Sequence, residues 1–256
     1  MSWNRYSSLA ILFVALLLLA AGVAGAVTVS NNNAPDIAEV GTTQTATITV
    51  TELFQNPSLE EWTLVGETQL ENTTWTVTQI NQAGGQVGQN SYDGKTFSEG
   101  VNLDSNVAEV RVKITGTVPP ISNYSYNPAH AFLFAELRQT RQGGTSNVIV
   151  THPVHHYTPN SRAAEDAIRS AQSAISAAGG HQQAEQSLDS AISAYDNGNF
   201  QNAVNLANRA EDEAKSAQAA SERNQMLLYA GVGIVVLLVI VGGLYYWRSQ
   251  QTGSKL

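Results

Sequence analysis

Val107-Ala108-Glu109-Val110-Arg111-Val112-Lys113-Ile114-Thr115 alternates apolar and polar side chains without interruption, with Val110, Val112 and Ile114 on one side and Arg111, Lys113 and Thr115 on the other. A period of two is the signature of a strand buried on one face and wet on the other. The same pattern spreads outward in both directions. Thr45 to Thr51 places Ile48 and Val50 on a core face, and Thr73 to Ile80 places Trp75, Val77 and Gln79 along one side. Asn81 to Gln86 reads as a hairpin loop whose glycines supply positive φ. Ala131 to Thr140 and Val148 to Thr151 complete a set of six to eight short strands. No helical segment separates them, so residues 27–158 are expected to form an antiparallel β-sandwich rather than a parallel sheet.

At Pro159 the period changes. Ala164, Ala167, Ile168, Ala171, Ala174, Ile175 and Ala178 recur at helical spacing, with Asn160 or Ser161 as cap and Gly179-Gly180 as stop. Gln183 to Tyr195 and Phe200 to about Glu222 make two further helices around the turn Asp196-Asn197-Gly198-Asn199. Residues 159–225 are therefore expected to be a short helical bundle or stalk, built of small side chains that allow close approach.

Both ends carry apolar runs. Residues 1–26 have the layout of a signal peptide, ending in Ala24-Gly25-Ala26, with an uncleaved first membrane helix as the alternative. Met226 to Trp247 contains no ionisable side chain and is long enough to cross a bilayer as one helix, flanked by Tyr229 and by Tyr245, Tyr246 and Trp247. Arg248 and Lys255 follow, so the expectation is a single-pass cell-membrane protein with its bulk outside and residues 248–256 in the cytoplasm. Such a protein has the lipid bilayer as its first partner.

Removing the leader and tail leaves 21 acidic against 10 basic residues in 27–225. That surplus argues against nucleic acid as a partner. There is no cysteine, hence no disulfide scaffold.

Two resemblances follow from particular residues. Ala191 to Val204, with Gly198-Asn199-Phe200 at the turn, resembles a tetratricopeptide-type helical hairpin, but a single copy is a spacer rather than a peptide-binding array. The stretch Ala34-Pro35-Asp36-Ile37-Ala38-Glu39-Val40-Gly41 leading into Thr45 to Thr51 is similar to the opening strands of immunoglobulin-like modules. With leader, threonine-rich β region, alanine-rich helices, apolar helix and basic tail, the layout resembles single-pass surface proteins of archaea, halophilic ones in particular. The resemblance implies an immunoglobulin-like fold and a surface location.

The residues with chemical potential are few. His152, His155 and His156 are the candidate ligands for zinc or copper, with His130 and His181 elsewhere; on a strand His155 and His156 point to opposite faces. No G-x-S-x-G, H-E-x-x-H or phosphate loop is present, so no catalytic residue and no cofactor is expected. Glu60-Glu61 and Glu211-Asp212-Glu213 read as solvated faces, with Lys215 one turn from Glu211. Trp62 and Trp75 read as core, a sugar-binding platform being the alternative. Asn72-Thr73-Thr74 and Asn123-Tyr124-Ser125 are glycosylation sequons. The leading expectation is a non-enzymatic surface protein that uses its β domain for envelope, cell or ligand contacts. The alternatives are an accessory subunit packing its helix through Gly231, Gly233, Gly242 and Gly243, and an extracellular metal-binding protein.

Overall fold

A computed structural model describes residues 27–55, 59–141, 144 and 146–251, without the side chains of 224, 225, 227–231 and 245–251. The leader 1–26 and the end of the tail lie outside the described residues. The chain divides into two compact units, one of residues 1–122 and 129–157, the other of residues 123–128 and 158–256.

The first unit holds ten strands in two sheets. Strands β1 (Thr28–Asn32), β3 (Thr43–Thr51), β5 (Glu71–Ile80), β6 (Gln86–Asp93) and β8 (Glu109–Thr117) form one sheet in the order β1-β3-β8-β5-β6. The other, in the order β2-β10-β9-β4-β7, contains β2 (Ile37–Glu39), β4 (Glu61–Glu67), β7 (Thr96–Asn102), β9 (Ala131–Thr140) and β10 (Ser146–Tyr157). The alternating stretch around Val110 is thus the middle strand of its sheet, with Val110, Val112 and Ile114 fully buried.

This corrects the expected fold. Among the described residues there are ten strands rather than six to eight, and β2 runs parallel to β10, so the second sheet is mixed and not antiparallel. No immunoglobulin-like sandwich emerges; together with its helices the chain is a mixed α and β protein. The physical reason is that a period of two identifies a strand but not its neighbour, and the three residues of β2 are too few to carry a period at all.

The two sheets share one core. Gly66 on β4 stands opposite Phe97 on β7, and a Cβ at Gly66 would overlap the Phe97 ring. The space left by that missing side chain lets Phe97 lie 4.9 Å from the ring of Trp75, which belongs to the other sheet. Trp75 donates its indole N–H to the Gly94 carbonyl at 2.9 Å, and Trp62 donates to Leu53 at 3.0 Å. Both tryptophans are almost wholly buried, so neither serves as a sugar platform.

In the second unit, helices α1 (Pro159–Ala177), α2 (Gln182–Asp196) and α3 (Phe200–Gln251) pack through Ala164, Ala171, Ala184, Ala191, Ala203, Ala207, Ala210 and Ala214. The cap of α1 is Thr158, two or three residues earlier than its sequence indicated: its Oγ1 accepts from the Ser161 N–H at 3.2 Å, and the Ser161 hydroxyl accepts from the Thr158 N–H at 2.9 Å. The pair satisfies two donors that a helix start otherwise leaves open. Tyr195 is the largest side chain in this core, set among Tyr124, Tyr126 and Phe200, with ring centroids 6.1, 5.8 and 5.5 Å away. Its hydroxyl donates to Glu165 Oε1 at 2.6 Å. Glu213, read from sequence as solvated, instead accepts from Ser187 at 2.8 Å and Gln183 at 2.9 Å and so ties α3 to α2.

The expected membrane span is also corrected. Among the described residues no helix is long and apolar enough to cross a membrane. The single-pass cell-membrane location, with an exterior bulk and a cytoplasmic end, falls with it.

Gly66→Ala is expected to destabilise the β unit by about 1 to 3 kcal/mol through overpacking against Phe97, measured as a lowered denaturation midpoint with the helical far-UV signal retained. Tyr195→Phe removes the hydroxyl given to buried Glu165 and is expected to cost the helical unit about 1 to 3 kcal/mol. The check is the same denaturation curve followed by far-UV signal at a helical wavelength.

Candidate functional site

Three histidines meet at the end of β10, though not the three expected. Their positions follow from how β10 pairs with β9 and β2. A register shift between His152 and Pro153 separates His152 from the rest. It lies beside Phe134 at 6.2 Å, with Nδ1 3.3 Å from Asn32 Nδ2 and Nε2 3.2 Å from the Pro35 carbonyl. Both of its nitrogens are engaged. His155 and His156 do point to opposite sides of the strand, but His130, just before β9, reaches both: its ring lies 4.9 Å from His155 and 5.3 Å from His156.

The backbone sets the protonation of this cluster. A carbonyl oxygen only accepts, so His155 Nδ1 donates to the His130 carbonyl at 2.8 Å and His130 Nε2 donates to the His156 carbonyl at 2.8 Å. His156 is buried, 5.0 Å from Phe132, and bonds the Pro119 backbone carbonyl, while its Nδ1 has no hydrogen-bond partner. Burial, then the neighbouring His130 and His155, push its pKa down to about 4, against the Pro119 carbonyl that draws it up. His156 is therefore neutral at pH 7. His181, on the other unit, starts α2 and is remote in sequence from all of these.

A second polar cluster escaped the sequence. Glu99 on β7 is buried and accepts from Gln79 Nε2 at 2.8 Å, from Asn90 Nδ2 at 3.1 and 3.0 Å, and from the Tyr92 hydroxyl. It joins the edge strands of both sheets, and its hydrogen bond, with burial, pushes the Tyr92 hydroxyl up to about 12. The available signal was phase: Glu99 alternates with Phe97 and Val101, which are both inward. Every donor around it is neutral, which makes the cluster a clasp between strands rather than an acid and base pair.

The outward face of the first sheet is the third feature. Pairing aligns Thr45, Thr115, Thr74 and Asp93 in one row, Thr47, Lys113, Thr76 and Ser91 in the next, and Thr49, Arg111, Thr78 and Gln89 in a third. Thr45 and Thr115 hydroxyls are 3.0 Å apart, and Thr74 donates to Asp93 at 2.9 Å. Both sequon asparagines are exposed: Asn72 at a positive φ of 49° within β5, where the register with β8 shifts, and Asn123 in the second unit.

No known family matches this chain, and no curated protein is similar to it. Among the solved structures that align with the chain is the sporulation control protein Spo0M from Bacillus subtilis, over 57% of the chain at 13% identity and a TM-score of 0.30. The chain spans 55% of the length of that structure.

The depressed His156 pKa has a fixed sign. The fold favours the neutral ring, so the stabilisation is complete above 6.5 and is lost as pH falls from 6.5 towards 4, by at most about 3 kcal/mol. Denaturation at pH 7 and pH 4.5 should show that loss, and His156→Gln should reduce the difference between the two.

Proposed function

We propose that this chain is a non-enzymatic binding protein whose contact surface is the outward face of the sheet β1-β3-β8-β5-β6. The observation that carries the reading is the three aligned rows, in which hydroxyl and amide side chains surround one charged residue each, Asp93, Lys113 and Arg111, with Thr49 alone among the threonines buried. Strands lie about 4.8 Å apart and same-face residues about 6.8 Å apart along a strand, so such a face offers a flat lattice of donors and acceptors. Arg111 is paired with Glu109 on its own strand, and Lys113 is exposed. The charges on this face balance, Asp93 and Glu109 against Lys113 and Arg111, which suits a ligand rich in hydroxyl or amide groups, such as a polysaccharide, better than a polyanion. The buried carboxylates support the same reading: Glu99 and Glu165 both accept hydrogen bonds from tyrosine hydroxyls within the cores of their own units.

The test is retention of the purified chain on immobilised neutral polysaccharides, compared with the double variant Thr47→Glu, Thr76→Glu. Both positions lie on the outward face, and the variant is expected to keep its denaturation midpoint and lose retention at least tenfold. Equal retention of the two proteins, no retention of either, or turnover of the polymer sinks the proposal.

A further inference from the structure

We infer that one end of the β unit holds a pocket for a small organic ammonium compound, with an apolar body and a cationic head. This goes beyond the sheet-face reading and does not depend on it. The loop after β3, the β5–β6 hairpin and the connection from β7 to β8 together enclose a cavity of about 320 Å3. That volume is at the low end of the range for small-molecule sites. Its lining has two parts. Buried Leu53 and Val107, with half-buried Phe54, supply an apolar floor, and Leu103 continues it upward while staying 48% exposed. Exposed Glu52, Gln55, Gln82 and Asn106 make a polar rim.

The walls are fixed by hydrogen bonds of their own. Trp62 donates its indole N–H to the Leu53 carbonyl at 3.0 Å, and the Gln55 N–H closes a turn on the Glu52 carbonyl at 3.2 Å. The Leu103 N–H reaches the Glu60 carbonyl at 2.8 Å, and the Asn106 N–H reaches the Leu103 carbonyl at 3.0 Å. Two of the three non-glycine residues at positive φ among the described residues, Glu52 at 58° and Asn106 at 54°, stand on this rim. Asparagine visits that conformation because its short side chain bonds locally, whereas glutamate has no such help. A glutamate held there marks a backbone over-determined by its surroundings, as at ligand sites.

Charge selects the ligand. Glu52 is the single ionisable side chain of the lining among the described residues, and Asp104, next to Leu103, is acidic as well. A carboxylate on the rim of an apolar cavity repels anions and attracts cations. Phe54 adds an aromatic ring, whose face attracts an ammonium group, and the leucines cover the hydrocarbon part of the same ligand.

The experiment titrates the full chain at pH 7 with phenethylammonium, with its neutral counterpart 2-phenylethanol and with its anionic counterpart 3-phenylpropanoate, followed by ligand-observed NMR. The wild type is expected to bind phenethylammonium saturably and at least fivefold more tightly than either counterpart. Glu52→Gln should lower that affinity at least threefold, and Leu103→Ser, also at an exposed position, should do the same. No saturable binding, a counterpart that binds as tightly, or unchanged affinity in either variant overturns the pocket. Because a variant can misfold, a second measurement uses the unaltered chain: raising sodium chloride from about 50 mM to about 500 mM should weaken phenethylammonium binding at least twofold through screening of the Glu52 carboxylate. Affinity that does not fall with salt also overturns it.

Discussion

The contact between Phe97 and Trp75 is what makes two sheets into one core. Each ring belongs to a different sheet, and the approach is possible only because β4 carries a hydrogen atom where a side chain would stand. From that contact the rest of the interior follows by strand alternation: Val77 continues from Trp75, Val101 from Phe97, and the central Val110, Val112 and Ile114 fill the layer between. Tyr92 stacks on the outer side of Phe97 at 5.6 Å and hands its hydroxyl to Glu99, so the apolar contact passes directly into the polar clasp at the sheet edge. The clasp gives the buried Glu99 carboxyl the hydrogen bonds its burial requires, from Gln79, Asn90 and Tyr92.

What could be read from the chain was whatever depends on a residue and its near neighbours in sequence. The inward set on β8, the buried tryptophans and the alanine stripe of α1 all express local periods. Pairing does not. The parallel contact of β2 with β10 joins Ile37 to His155, and nothing in either tripeptide announces the other. Adjacency in sequence grouped His152, His155 and His156, whereas a register shift sets His152 apart and His130, 25 residues before His155, packs its ring near the other two. Glu99 and Glu165 were visible as inward positions by phase alone, but a charged residue in an apolar phase is ordinarily set aside as solvated. The apolar run at 226–247 suggested a membrane span by composition, yet among the described residues no helix is long and apolar enough to cross a membrane.

The two units solve the burial problem differently. The β unit uses large rings and branched chains, each of which removes much apolar area from water, at about 25 cal/mol per Å2. The helical unit uses alanine, which permits close backbone approach but buries little. It therefore concentrates its larger contacts in one aromatic group around Tyr195 and adds polar ties such as Ser187 to Glu213. The Tyr195 hydroxyl is satisfied by Glu165, so the one bulky ring at the centre leaves no polar atom stranded.

Two members of that aromatic group, Tyr124 and Tyr126, come from a six-residue excursion between β8 and β9, and the Tyr126 N–H is held by Asp196 at 2.8 Å. The helical unit is consequently discontinuous in sequence. A gene fragment cut at the start of α1 encodes all three helices and still lacks part of their interior. Exchange of this unit between proteins by recombination at a single boundary would deliver an incomplete core, and an insertion into the β8–β9 loop would be felt in the helices before it was felt in the sheets.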